Sequence, residues 1–204
     1  MNYPPKSDVA NTRESLFLRL KADTPAVEVA WNEFYTRYAP IIGGFARKLG
    51  ARPQDVADVI QDVLVGFFAA SPSFVYEPSK GRFRGYLKTC TFRAIQKRFA
   101  VNARFAGVSV EEIDPADHRI EETWNDLWET EKLRHALDHV RDRYATRPDR
   151  IKTFRAFEMY VLLERPAEEV AIELQISVDS VHAAKTRISR ALKAAVQEMD
   201  ETHG

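Results

Sequence analysis

Three carboxylates stand at helical intervals early in the sequence: Asp55, Asp58 and Asp62 fall at i, i+3 and i+7, with Gln61 beside them. That spacing puts them on one helix face. Gathered carboxylates can act as acids and bases, or dock a cationic partner. They can also be a plain solvated face, with Asp55 favourable near a helix N-terminus. Catalysis would need a histidine, a serine nucleophile or a glycine-rich phosphate loop in company with them, and none accompanies this row. The residues point away from an enzyme.

A second group is cationic. Lys80, Arg82, Arg84, Lys88, Arg93, Lys97 and Arg98 fall in one stretch without a single acid, interleaved with Phe83, Tyr86, Phe92 and Phe99. Cations that hold phosphates beside aromatics that stack on bases suit a strand-melting surface. The aromatics have a second use as core, expected above all of Phe83, Tyr86 and Phe99. A solvated face normally mixes signs, so the unmixed charge is the more telling part.

The third group closes the chain. PAEEVAIELQISVDSVHAAKTRISRAL has the layout of a helix-turn-helix. Val170, Ala171 and Leu174 would face inward from the first helix, and Val181, Ala184, Ile188 and Leu192 from the second. Ser177 is expected to cap the second helix. Ser180, His182, Ala183, Lys185, Thr186, Arg187 and Arg190 then face out, small residues first and phosphate-binding cations later. An ordinary helical hairpin with a solvated cationic face would read the same way.

The elements that must position these groups are helical throughout. A short helix is expected over 12–20, with Leu16, Phe17 and Leu20 on one face. A second runs from Pro25 through Val29, Ala30, Phe34, Tyr38 and Ile41, before Gly43, Gly44 and the run Gly50-Ala-Arg-Pro53 punctuate the chain. Pro53 opens the helix that carries the acids. The run 71–83 reads as an ordered loop, and 84–99 as the basic helix. Periodicity lapses over 101–119, which reads as a linker. Beyond it come a helical stretch holding Trp124 and Trp128, expected in the core of the second domain, a helix over 151–164, and the pair 166–174 and 178–199. The fold class expected is all-α, with one domain over 10–100 and another over 120–200.

Composition agrees with this. Hydrophobic residues make up 45% of 204, enough for real cores. The net charge of zero hides segregation: residues 1–100 hold 15 Lys and Arg against 9 Asp and Glu, residues 101–130 hold 2 against 8, and the remainder 13 of each. Polyanions respond to charge within about a Debye length, so the local excess governs. No stretch nears the ~20 apolar residues of a membrane helix, so no membrane insertion is expected. The N-terminus lacks the pattern of a signal peptide. A single cysteine, Cys90, suits the cytoplasm, and the five histidines show no zinc spacing, so no metal or other cofactor is expected.

The order of these groups resembles the sigma-70 family, and within it the compact extracytoplasmic-function (ECF) group. DVADVIQDVLVGFFAASPSFVYEPSKGRFRGYLKTCTFRAI is similar to that group's second conserved region, and RPAEEVAIELQISVDSVHAAKTRISRAL to its fourth. The resemblance implies that domain 10–100 is region 2, a helical bundle, and domain 120–200 is region 4. It implies that Asp55, Asp58, Gln61 and Asp62 dock on the β′ coiled coil of core RNA polymerase, with the β flap as a further contact of the polymerase. The loop from Val75 to Arg82 would capture a flipped base of the minus-ten element. Lys80, Arg82, Arg84, Lys88, Arg93 and Lys97 would hold minus-ten DNA. Ser177, Ser180, His182, Lys185, Thr186, Arg187 and Arg190 would read the minus-thirty-five element. Relatives are often restrained by an anti-sigma factor, and the acidic linker is itself a candidate to hold the basic helix. This chain departs from many relatives at Phe92-Arg93, Lys97 and Tyr86, so their minus-ten sequence preference does not carry over. A helix-turn-helix regulator that never docks on polymerase is the competing reading; it leaves the acidic and basic helices without a task.

Overall fold

The computed structural model describes residues 19–20, 26–70, 83–106 and 117–203. Among them are seven α-helices and no strand: α1 (Ala26–Lys48), α2 (Pro53–Ala70), α3 (Phe83–Ala106), α4 (His118–Tyr144), α5 (Pro148–Phe157), α6 (Ala167–Leu174) and α7 (Val178–His203). The all-α expectation holds. The chain divides into two compact units, the first reaching Glu131 and the second spanning Lys132–Glu201. Only Arg19 and Leu20 of the expected leader helix, and none of the loop 71–82, lie within the described residues.

α1, α2 and α3 build the first core around aromatic rings. Phe34 stacks on Phe67 with centroids 4.7 Å apart, and Tyr38 meets Phe83 at 5.3 Å. From α2, Val56, Val59, Val63 and Phe67 turn inward at three- and four-residue steps. Each such side chain contributes about 1.5–3 kcal/mol through burial. The aromatics of the basic helix also serve the core: Phe83 and Phe92 are buried, and Tyr86 and Phe99 are packed against them.

The two glycines expected to punctuate α1 lie inside it. The reason is space, not flexibility. A Cβ on Gly43 would stand 3.1 Å from Ile60 Cδ1, and one on Gly44 would stand 3.0 Å from Leu127 Cδ2. Hydrogens in place of side chains let α2 and α4 come close to α1. The helix ends instead at Gly50, with φ of +89°, where Ala51 N–H donates to the Ala46 carbonyl. This is a glycine-based C-terminal cap.

Two further expectations are corrected. The stretch 101–106 is still helix α3, so the lapse of periodicity at 101 does not end that element. Trp124 and Trp128 belong to the first unit and not to the core of the second domain. Trp124 is fully buried with its ring 5.0 Å from Phe45, and Trp128 lies 6.1 Å from Tyr38. A large aromatic goes where an apolar slot exists, and α1 supplies one at Phe45 and Tyr38, with Leu127 set against Gly44. α4 thus lends its first half to one unit and its second half to the other, and the boundary falls past the 101–119 stretch read as a linker.

In the second unit, Val140, Phe154, Phe157 and Ile188 form one cluster, and Met159, Val170, Leu174 and Val181 another. The helix expected over 151–164 changes character after Phe157. Glu158–Leu162 form a π-helical turn in which Leu163 N–H donates to the Glu158 carbonyl at 3.0 Å. Glu164 then takes a positive φ of 53°, before Pro166 blocks any continuation.

Candidate functional site

The acidic row on α2 divides by depth. Asp55 does not face out: it is 7% exposed and accepts Arg52 Nε at 2.7 Å and Asn102 Nδ2 at 3.0 Å. Arg52 Nη2 also donates to Asn102 Oδ1 at 2.6 Å, closing a triangle between the start of α2 and the end of α3. The hydrogen bond from Arg52 is the main reason the Asp55 carboxyl sits below its ordinary range, with Asn102 assisting. Asp55 is therefore a tie inside the fold, unlike the outward role the spacing suggested.

Asp58 and Asp62 lie nearer the surface and share a guanidinium. Arg98 Nη1 reaches Asp58 Oδ2 at 2.9 Å and Nη2 reaches Asp62 Oδ2 at 3.4 Å, while Lys97 Nζ stands 3.6 Å from the same Asp62 oxygen. Gln61 is exposed and has no hydrogen bond among the described residues. The row does not stop there. Val65 and Phe68, 57% and 58% exposed, follow Gln61 at i+4 and i+7. Phe68 leans on Trp31 with ring centroids 4.9 Å apart. A shallow groove of about 380 Å³ runs here, lined among others by Trp31, Tyr35, Val65 and Phe68. Sequence reasoning missed this apolar half, although the adjacent pair Phe67-Phe68 was a usable signal. Successive helical residues point about 100° apart, so both rings cannot enter one core.

The cations of α3 divide too. Arg84 is engaged by α4: Nη2 donates to Asn125 Oδ1, Nη1 is 3.5 Å from Glu129 Oε1, and its Cζ lies 5.5 Å from the centre of the Trp128 ring. Lys88 pairs with Glu121, also on α4. Arg98 is held by α2. What remains outward is a stripe of Arg93, Lys97 and Arg104, all exposed and spaced i, i+4 and i+11. Arg104 lies past the expected end of the helix, which is why the sequence reading omitted it. Lys80 and Arg82 lie outside the described residues. Tyr86 packs between core and surface, its phenol pushed up to about 12 by burial first and by Cys90 second.

In the second unit the helix-turn-helix geometry is complete. α6 closes at Gln175, whose left-handed φ of 53° lets Ile176 N–H bond the Ala171 carbonyl at 3.0 Å. Ser177 Oγ then accepts Ser180 N–H at 3.1 Å, the cap expected of it. Ser180 spends its hydroxyl on Ser177 at 2.8 Å. Val181, Ala184 and Ile188 are buried, so Ser180, His182, Lys185, Thr186, Arg187 and Arg190 face out. His182 and Lys185 lie along the Tyr160 ring, at 5.3 and 5.5 Å. Arg187 and Arg190 make no ion pair among the described residues.

Among the described residues no three His, Cys, Asp or Glu side chains gather as metal ligands, and no helix is long and apolar enough to cross a membrane. No curated protein matches the chain. Residues 34–105, covering most of α1 and all of α2, match the family model of sigma-70 region 2 almost to the end of α3. Residues 34–105 are thus a sigma-70 region 2, and with a helix-turn-helix in the second unit this match supports a sigma-70 family sigma factor, a non-enzymatic class of transcription-initiation protein.

Proposed function

We propose that the chain is a sigma factor of the ECF group that docks on core RNA polymerase through α2 and reads both promoter elements. The docking surface is the outward row Asp58, Gln61, Asp62, Val65 and Phe68, acidic at one end and apolar at the other. Such a surface suits the arginine-bearing β′ coiled coil, because the apolar end supplies burial and the acidic end sets register. Arg93, Lys97 and Arg104 on α3 hold minus-ten DNA together with Lys80, Arg82 and the loop from Val75 to Arg82. Ser177 to Arg190 on α7 enter the major groove of the minus-thirty-five element, with Arg187 and Arg190 on the phosphates.

The observation that carries this reading is the solvent-facing stripe of Arg93, Lys97 and Arg104 beside the acidic row of α2. A regulator that binds only through α7 has no use for either. Selection of random duplex DNA by the complex of this chain with core polymerase tests it. Two unlike sequence blocks at a fixed spacing are expected. One palindromic block, the mark of a twofold dimer, would replace the sigma reading with the regulator.

A further inference from the structure

The seam between α3 and the first half of α4 contains cations whose partners are already present. Arg84 and Lys88 lie one turn apart on α3, about 6 Å along its axis. Facing them on α4 are Glu121, Asn125 and Glu129, at i, i+4 and i+8. Arg84 takes Asn125 and Glu129, and Lys88 takes Glu121. Between the helices is a groove of about 330 Å³ lined by Arg84, Gly85, Lys88, Glu121, Trp124 and Asn125. Trp124 is fully buried, and its Nε1 has no hydrogen-bond partner among the described residues.

The two sides of this seam differ in how firmly they are fixed. Trp124 and Trp128 seat α4 in the aromatic core, so the helix itself stays. The carboxylates are loosely held: the side chains of Glu121 and Glu129 are 50% and 54% exposed, against 22% and 23% for Lys88 and Arg84. Surface ion pairs of this kind contribute only about 0–1 kcal/mol each, so another anion can displace them.

We infer that this groove is a nucleic-acid phosphate site, latched in the free chain by Glu121 and Glu129. The carboxylates stand where strand phosphates bind, and a strand enters when the glutamates swing into water while α4 remains seated. The inference rests on the reading of α3 as a DNA-holding helix and adds to it the groove and its latch.

The test compares binding of a labelled single-stranded DNA oligonucleotide by the full chain and by Glu121→Gln with Glu129→Gln. Unlatching should tighten binding about tenfold, and should steepen the salt dependence by up to about 1.4, at roughly 0.7 per phosphate gained on a single strand. Removing two acids anywhere raises affinity somewhat, so a charge-matched pair, Glu122→Gln with Asp126→Asn, serves as reference on the exposed side of the same helix. Its gain should stay within about twofold. Adding Arg84→Ala and Lys88→Ala to the unlatched variant should cancel the gain. Equal affinity in the unlatched and native chains, or an equal gain in the reference pair, overturns the latch. Neither result touches the sigma reading, which fails separately if the native chain with core polymerase selects no paired promoter blocks.

Discussion

The two cationic surfaces of this molecule are built to different standards. On α7 the outward cations Arg187 and Arg190 are exposed and unpaired among the described residues, and a serine cap and buried aliphatic stripe fix the helix beneath them. On α3 most of the cations are spent inside the first unit: Arg84 and Lys88 on α4, Arg98 on Asp58 and Asp62, and Lys97 partly on Asp62. On the proposed reading, α7 meets duplex DNA with bare charge, while α3 waits for a melted strand with its charge answered by carboxylates. The lesson is that a count of basic residues measures capacity for phosphate, and only their partners tell how much of it is available.

Five substitutions across the two units press on this contrast. The largest effect is expected from Trp124→Ala, which empties a fully buried slot beside Phe45. It should cost about 3–5 kcal/mol. The loss should fall on the first unit alone, read by hydrogen exchange over α1 to α3 with α6 and α7 protected as before. Loss across α6 and α7 instead would return the tryptophan to the second unit.

Next is Asp55→Asn, which removes the carboxylate that Arg52 and Asn102 share. Leaving buried groups imperfectly paired should cost about 1–3 kcal/mol near neutral pH. The sign with pH follows from the lowered folded-state value. Its stabilisation is fully present above the ordinary carboxylate pKa of 3.8 and is lost as pH falls through the lower folded value. Urea midpoints of native chain and variant should therefore converge in acid.

Much of this was legible in the sequence, and the failures have physical causes. The caps and inward stripe of α6 and α7 were readable because local chemistry, Ser177 and three-and-four spacing, decides them. Ser177→Ala should accordingly cost about 1 kcal/mol, measured as lost helix stability in the second unit. The assignment of Trp124 failed because sequence order says nothing about which core accepts a ring, and Gly44 was read as a break when it is a contact. Asp55 shared its face with Asp58 by spacing, yet Arg52 and, from the end of α3, Asn102 together hold it inward. A partner so distant in sequence leaves no mark in helical periodicity. Phe68 was visible only as the surplus member of a phenylalanine pair.

The smallest expected effects are on α7. Arg187→Ala and Arg190→Ala should each weaken promoter binding similarly for all sequences and lower the salt slope by about one. A change confined to one base position would move that arginine from phosphate to base readout.

Docking on core polymerase is the claim on which the others depend, and co-elution on a sizing column measures it directly. The native chain should travel with core RNA polymerase, and Phe68→Asp, which spoils the apolar end of the outward row at a ring 58% exposed, should elute alone with its helical content unchanged. A native chain that elutes apart from the polymerase would contradict the account.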